Sequence, residues 1–304
     1  MRVAITGGAG FIGSNLAVYL KSLGYEVVCV DNLSRSLEDN VRRLSSENIL
    51  LHVIDVRDFE RLIELIRGCD VVVHAAALID VEESLKNPIS YFENNVIGTA
   101  AISKACVDSN IERLIYISSA AVYGEPKKIP VKETHPRNPL SPYGLSKLFG
   151  ENIVELYSKI YSLKYVSLRL FNVFGPGQGS RGYAGVIAKF VKNVKFGQKP
   201  VVYGDGLQTR DFIHVQDVCH AIECSLKTGY VNETYNIGSG SETKIIDLAK
   251  KIMSLANVEG EPYFAPQRAG DIRFSCADIS KAKKLLGFHP KLSLEAGLKT
   301  LLKT

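Results

Sequence analysis

The opening segment of the chain, as far as Asp31, constrains the fold more tightly than any other. Arg2-Val3-Ala4-Ile5-Thr6 reads as a short apolar strand, Gly7-Gly8-Ala9-Gly10-Phe11-Ile12-Gly13 as a glycine-rich turn, and Ser14 to Leu23 as an amphipathic helix. Glu26-Val27-Val28-Cys29-Val30 is a second strand, and it ends in Asp31, eighteen positions after Gly13. Glycines at 7, 10 and 13 let the chain turn tightly, bring backbone amides against a pyrophosphate, and pack the helix on the sheet. A glycine pattern alone is weak evidence. One that follows a strand, opens a helix and precedes an acid at the tip of the next strand specifies a dinucleotide-binding unit. A carboxylate at Asp31 accepts both ribose hydroxyls of NAD and repels the phosphate that NADP carries there, so NAD is the expected cofactor. Arg35 argues the other way, and a solvated loop arginine is its plainer reading.

The pattern that follows alternates strand and helix: 49–54 then 59–66, 71–74 then 91–107, 114–118 then 143–161, and 166–170. Such alternation implies a parallel sheet with helices on both faces and right-handed crossovers. After Phe171 it loosens into glycine- and proline-containing loops, with helices expected over 186–196, 245–255 and 279–286. The expected fold is α/β, a Rossmann-type doubly wound parallel sheet with a smaller, interleaved C-terminal substrate-binding domain. Residues 1–172 form the nucleotide domain, with 205–240 returning to it; 173–204 and 241–304 form the second.

A chain of 304 residues can hold a substantial core. A net charge of +5, with the basic residues spread along the sequence, gives no nucleic-acid groove. Cysteines at 29, 69, 106, 219, 224 and 276 form no CxxC pair and show no evident ligand spacing with histidine, so no metal is expected. No apolar run reaches membrane-spanning length. The sequence starts directly in its first strand without a signal-peptide pattern, and a reducing cytoplasm is the expected address.

Chemistry enters at Ser141-Pro142-Tyr143-Gly144-Leu145-Ser146-Lys147. Tyr143 and Lys147 are four apart in a helix-forming stretch and share one face. Ser119 closes the preceding strand. A unit charge about 5 Å from a phenolate, at an effective dielectric of about 20, is worth roughly 3 kcal/mol. That takes a tyrosine from near 10 to roughly 7 or 8, where it serves as a base for an alcohol proton.

Taken in order, GGAGFIG, Asp55-Val56, His74-Ala75-Ala76-Ala77, Asn94-Asn95-Val96-Ile97-Gly98-Thr99, SSAAVYG at 118–124, SPYGLSK at 141–147, RLFNVFGPGQ at 169–178, Arg210-Asp211-Phe212-Ile213-His214-Val215 and RAGDIRFSCADISKAKKLLGF at 268–288 resemble the extended short-chain dehydrogenase/reductases, most of all the UDP-glucose 4-epimerases. The resemblance spans nearly the whole chain. It implies catalysis by Ser119, Tyr143 and Lys147. It also implies NAD contacts from Gly7, Gly10, Phe11, Ile12, Gly13, Asp31, Asn32, Asp55, Val56, Ala75, Ala76, Ala77, Asn94, Ser118, Tyr143 and Lys147. Substrate contacts are implied for Ser119, Tyr143, Asn172, Arg210, Arg268, Asp271 and Ser275.

Related dehydratases carry Thr-Asp-Glu, and related decarboxylases a glutamate, where this chain has Ser119-Ala120-Ala121. Without that carboxylate, a reaction that oxidises and re-reduces one carbinol remains: epimerisation at carbon 4 of a UDP-hexose through a 4-keto sugar. The resemblance also implies a homodimer through the helices beginning near Tyr91 and Tyr143. Ser275 stands where bulk beside the sugar's carbon 2 decides whether an N-acetyl group fits; Phe212 or Phe274 closing the pocket is the competing reading. Two other classes stay open, another epimerase or oxidoreductase of the superfamily and a non-catalytic NAD-binding regulator. Read singly, each residue has a plain role: Ser119 ties up a backbone amide, Asp55 sits in a turn, Asn94 caps a helix, and Asp271 pairs with Arg273. His74, His214 and His220 receive no chemistry.

Overall fold

The computed structural model of this chain describes residues 1–179, 185–267 and 272–303. Its first part runs β1 (Arg2–Thr6), α1 (Phe11–Ser22), β2 (Glu26–Asp31), α2 (Glu38–Ser46), β3 (Leu50–Val53), α3 (Phe59–Ile66) and β4 (Val71–His74). It continues through α4 (Val81–Lys86), α5 (Pro88–Tyr91), a π-helical stretch Phe92–Ile97, α6 (Gly98–Asp108), β5 (Arg113–Ser119), a 3₁₀ turn Ala120–Tyr123, α7 (Pro142–Tyr161) and β6 (Lys164–Leu170). The second part comprises β7 (Asn172–Phe174), α8 (Val186–Lys195), β8 (Val201–Tyr203), β9 (Thr209–His214), α9 (Val215–Lys227), β10 (Glu233–Ile237), β11 (Glu242–Lys244), α10 (Ile245–Leu255), β12 (Tyr263–Ala265) and α11 (Leu294–Lys303).

Seven strands form one parallel sheet in the order β10-β6-β5-β4-β1-β2-β3. This is the doubly wound α/β arrangement expected from the alternating pattern. Strand order reverses between β1 and β4, so their carboxyl ends open the crevice where such folds bind ligands. The strands are near-continuous apolar runs because both faces are covered. On one face Val3, Ile5, Val71, Val73, Ile115 and Ile117 pack with Leu16 and Leu20 of α1 and Val218 and Ile222 of α9. On the other, Ala4, Val72, Leu114 and Tyr116 meet Leu62 of α3, Ile102 of α6 and Val154 of α7. Each such fully buried aliphatic side chain contributes about 1.5–3 kcal/mol.

The second part has a three-stranded sheet, β11-β9-β7, and a two-stranded one, β12-β8. Its own core joins Phe174, Phe190, Phe212, Leu248, Ile252 and Leu298. Within residues 205–240, α9 and β10 pack with the large sheet, whereas β9 pairs with β7 and β11. Ala282, Leu286 and Phe288 also lie in the larger core. Two asparagines tie the parts together: Asn15 of α1 donates to the Pro176 carbonyl at 2.9 Å and Asn40 of α2 to that of Gly177 at 3.2 Å.

A buried polar network crosses the sheet. Arg169 on β6 makes two 2.8 Å bonds to Glu151 on α7, both side chains about 4% exposed, and donates to the Tyr123 hydroxyl at 2.8 Å. Ser118 donates to Glu151 at 2.6 Å, and Tyr123 to Asn236 of β10 at 2.6 Å. Removing one partner of such a pair strands the other charge, at about 3–5 kcal/mol. Glu151→Ala is therefore expected to lower unfolding stability by about that amount in urea melts; a loss under about 1 kcal/mol would mean that the network closes without it.

Candidate functional site

The glycine turn lies at the switch point. Gly7 has φ +68°, and a Cβ there would sit 2.7 Å from the Ala76 amide nitrogen, while one on Gly13 would overlap the Gly7 carbonyl. The backbone of β1 and the segment after β4 thus approach closely enough that only glycine fits. Gly10 donates to the Gly7 carbonyl at 3.0 Å. Helix α1 starts at Phe11, three residues before the expected Ser14, so its N-terminus emerges from within the turn; Phe11 and Ile12 rest on the larger core. A helix start with bare amides favours a phosphate group. The residues present therefore fit the pyrophosphate of a dinucleotide.

Asp31 ends β2 and is nearly buried. It accepts from the Ala9 amide at 3.1 Å, the Leu33 amide at 2.8 Å and the Ser36 hydroxyl at 3.0 Å, which locks the carboxylate against the glycine turn. A carboxylate has about four acceptor sites, so this leaves capacity for a ribose hydroxyl. Arg35 is paired with Glu83. Beside Asp31, Asn32 donates to Asp55 at 2.9 Å. Arg57 binds Asp55 through two guanidinium nitrogens, which holds that carboxyl well below the usual carboxylate range. Val56 is buried under the start of α6.

Ala75 to Ala77 follow β4, with Ala75 donating to the Thr6 carbonyl at 3.1 Å. His74 is enclosed between the hydroxyls of Thr6 and Thr99, and burial with Lys147 nearby pushes its imidazole down to about 3. It stays neutral and structural, as read from sequence. Asn94 lies in the π-helical stretch and donates to Asn95 at 3.0 Å. Asn95 bonds both backbone groups of Leu78 and donates to Ser146 of α7 at 2.9 Å.

Helix α7 begins with Ser141 accepting from the Gly144 amide at 3.1 Å and Pro142 in its first turn. A Cβ on Gly144 would lie 2.7 Å from the Ala121 carbonyl, so this turn, with half-buried Tyr143, rides directly on the segment that Ser119 opens. Ser119 accepts from the Ala121 amide at 3.1 Å, the plain capping role; its hydroxyl proton stays available as a donor. Ser118 turns the opposite way, into the Glu151 network. Lys147 is buried. Its ammonium donates to the Ile117 carbonyl at 2.8 Å and lies 5.3 Å from the Tyr116 ring centre. Burial pushes it down to about 7, with Glu151 opposing the change.

On the far side of the crevice, Asn172 starts β7 beside Phe212 of β9. Arg210 is half-buried and donates to the Thr209 carbonyl at 2.7 Å. The adjacent Asp211 is buried and accepts from the amides of Ser239, Gly240 and Ala277, which fixes the chain just after Ser275. Ser275 is itself buried, Phe212 belongs to the second core, and Phe274 is exposed against Arg273. Arg273 forms two 2.8 Å bonds to Asp205. Arg268 and Asp271 lie outside the described residues.

The profile of the NAD dependent epimerase/dehydratase family matches residues 3–238. This chain belongs to that family. Within the family, a putative UDP-glucose 4-epimerase of Methanocaldococcus jannaschii is 39% identical, over 98% of this chain and 96% of its own. The structure of UDP-glucose 4-epimerase with UDP-glucose from Thermotoga maritima is similar with a TM-score of 0.95 at 36% identity, covering 100% of this chain and 98% of that one. That of UDP-N-acetylglucosamine 4-epimerase from Methanobrevibacter ruminantium, in complex with UDP-N-acetylmuramic acid, has a TM-score of 0.94 at 36% identity, covering 99% and 97%.

Sequence reasoning missed Asn95, Glu151, Arg169 and Asp211, which position the site without facing it. Glu151 had a local signal: it stands four residues after Lys147 on the same helix face. Lys147 also yields a pH signature. Between pH 7 and 10.5 the unfolded chain carries a proton on this lysine that the folded chain lacks, so this group makes stability rise with pH across that window. In urea melts of nucleotide-free protein, Lys147→Met is expected to flatten the rise; parallel profiles for the two proteins would refute the assignment.

Proposed function

We propose that this protein interconverts UDP-hexoses at carbon 4, with NAD as a tightly held cofactor that ends each cycle as it began. The observation that carries this reading is the start of α7, with Tyr143 in its first turn pressed on the Ser119–Ala121 segment and Lys147 on Ile117, at the same carboxyl edge of the sheet as the glycine turn. When bound, NAD supplies the acceptor and then the donor of hydride at carbon 4. Tyr143 removes the proton of the sugar's 4-hydroxyl, directly or through Ser119, and returns one to the same oxygen once the 4-keto sugar has turned its other face to the cofactor. The Lys147 ammonium has three donors; one meets Ile117, and the nicotinamide ribose is assigned the others. Its charge favours the Tyr143 phenolate.

Gly7, Gly10, Phe11, Ile12 and Gly13 cradle the pyrophosphate in this reading. Asp31 and Asn32 take the adenosine ribose, and Asp55 and Val56 the adenine. Ala75, Ala76, Ala77 and Asn94 line the remaining path, and Ser118, its hydroxyl committed to Glu151, contributes through its backbone. With Arg35 paired to Glu83, Asp31 selects NAD over NADP. Asn172, Arg210, Arg268 and Asp271 hold the uridine diphosphate end, and Ser275 lies beside the sugar. Residues 1–172 with 205–240, apart from β9, which pairs with β7 and β11, serve as the nucleotide domain, and 173–204 with 241–304 as the sugar domain. The absence of a carboxylate at 119–121 favours epimerisation over dehydration, and the names of the relatives support the same choice.

Incubating the protein with UDP-galactose and no added nucleotide should yield UDP-glucose. NADH accumulation would point instead to a net oxidoreductase, and no turnover to a regulator. Tyr143→Phe should lower turnover by about 10²–10⁴-fold while the protein still binds NAD ahead of NADP; near-normal turnover removes Tyr143 from the mechanism.

Substrate breadth rests on Ser275. With Phe212 committed to the second core and Phe274 exposed, a buried serine leaves room for an N-acetyl group. The unmodified enzyme is expected to turn over UDP-N-acetylglucosamine, and Ser275→Tyr to lose that activity while keeping UDP-glucose. An unmodified enzyme that ignores the N-acetylated sugar sinks the idea.

The assembly proposed is a homodimer in the cytoplasm. Among the described residues no helix is long and apolar enough to cross a membrane. Phe149, Leu156 and Ile160 of α7 are exposed beside exposed Leu85, Ile89 and Ile97, an apolar stripe that a second copy would cover. Leu156→Asp should shift the sedimenting species from dimer to monomer, and a wild-type monomer at micromolar concentration would reject the pairing.

A further inference from the structure

Helix α9 carries side chains that the proposed reaction does not use. Its inner face, with Val218, Ile222 and Leu226, is buried in the larger core. On its flank His220, Glu223 and Cys224 occupy positions i, i+3 and i+4 and so share one face. The sequence reading found no cysteine–histidine ligand spacing. The helix turns the interval from His220 to Cys224 into adjacency.

Donor atoms of the three side chains lie within 4.8 Å of one another. His220 Nδ1 is 3.3 Å from Glu223 Oε2 and 4.0 Å from Cys224 Sγ. The edges of a tetrahedral zinc site with N, O and S donors are roughly 3.3–3.6 Å long, from bond lengths of about 2.0–2.3 Å. One edge is already there, and the others need the Cys224 side chain to turn toward it. Lys227 holds the other oxygen of Glu223. A partner on the outer oxygen orients a ligating carboxylate.

Beside the trio opens a hollow of about 410 Å³ lined by Glu223, Cys224, Lys227, Thr228, Tyr230 and Leu285, among others. It gives a fourth ligand room and solvent access. Among the described residues this is the one group of three such side chains with that geometry. An imidazole and a thiol are poor partners for magnesium or calcium, which take oxygen ligands, and good ones for zinc.

We infer that His220, Glu223 and Cys224 form a three-ligand site for a thiolate-binding divalent transition metal, with Zn²⁺ the matching ion and water in the fourth position. On coordination the Cys224 thiol loses its proton to solvent and no redox change occurs. None of the three residues belongs to the nucleotide or sugar site, so the inference stands apart from the proposed epimerase activity.

Cobalt(II) is a suitable probe, because a bound thiolate gives a charge-transfer absorption and a tetrahedral site gives visible bands. Chelator-treated full-length protein titrated with Co²⁺ is expected to develop both at one equivalent, and Zn²⁺ to abolish them. His220→Ala and Cys224→Ser should each weaken binding by more than the roughly 10–100-fold that loss of a merely supporting residue costs. Zn²⁺ at about 100 times its dissociation constant should raise the folded-to-unfolded ratio about 100-fold in the unmodified protein and not in Cys224→Ser. Both variants are read against their own metal-free melting midpoints, which separates loss of binding from loss of fold. Absence of the charge-transfer band, or a band that persists unchanged in Cys224→Ser, overturns the site.

Discussion

The charges that α7 buries fix its rotation about its own axis, and the site follows from that setting. Tyr143, Lys147 and Glu151 stand four residues apart along one face. Lys147 must reach the Ile117 carbonyl, and Glu151 must meet Arg169 and Ser118, because an unpaired buried charge is far costlier than a paired one. Both partners lie on the β5–β6 side of the helix. With those two side chains anchored, Tyr143 at the start of the same face is delivered to the carboxyl end of β5, beside Ser119. Gly144 lets the first turn come down onto Ala121. The placement of this turn is a by-product of charge satisfaction further along the helix.

The same network explains why the lysine's electrostatic role is less simple than the spacing suggests. A charged Lys147 favours a neighbouring phenolate, yet burial drags the lysine itself to about 7. On the proposed reading, polar contacts from a ribose bound there would favour the ammonium.

What was legible in the sequence was mostly local. The glycine turn, the Asp31 tip, the apolar parallel strands and the Tyr143–Lys147 pair announce themselves within a few residues, and each occupies its expected place. Helix α2 has only Val41 and Leu44 as apolar residues, too few for a pattern to mark it in the sequence. Helix α9 does have the period, in Val215, Val218, Ile222 and Leu226, but was absorbed into a segment judged only by its return to the sheet. The expected helix over 91–107 is broken into α5, a π-helical stretch and α6, which swings Asn95 toward both Leu78 and Ser146. Short strands such as β7, β8 and β12 are three residues each and leave no pattern to read. Arg273 takes Asp205, 68 residues earlier in the chain. Pairings of that kind, like Glu151 with Arg169, are set by topology, and topology is not written in any window of residues.

The seventh position of β10 has a bearing on how the molecule is made. Residues 1–172 contain six of the seven strands, but the edge strand β6 acquires its neighbour only when Glu233–Ile237 arrive, and the face bearing Val3 and Ile5 acquires α9 only at Val215. Until then a nascent chain presents a bare edge of unpaired amides and carbonyls beside an uncovered apolar surface, the combination that invites strand addition from a neighbour. The nucleotide-binding half is therefore not a module that finishes folding as it leaves the ribosome. It matures only after the polypeptide has crossed into the other half and returned, so that synthesis of the two is bound into a single folding event.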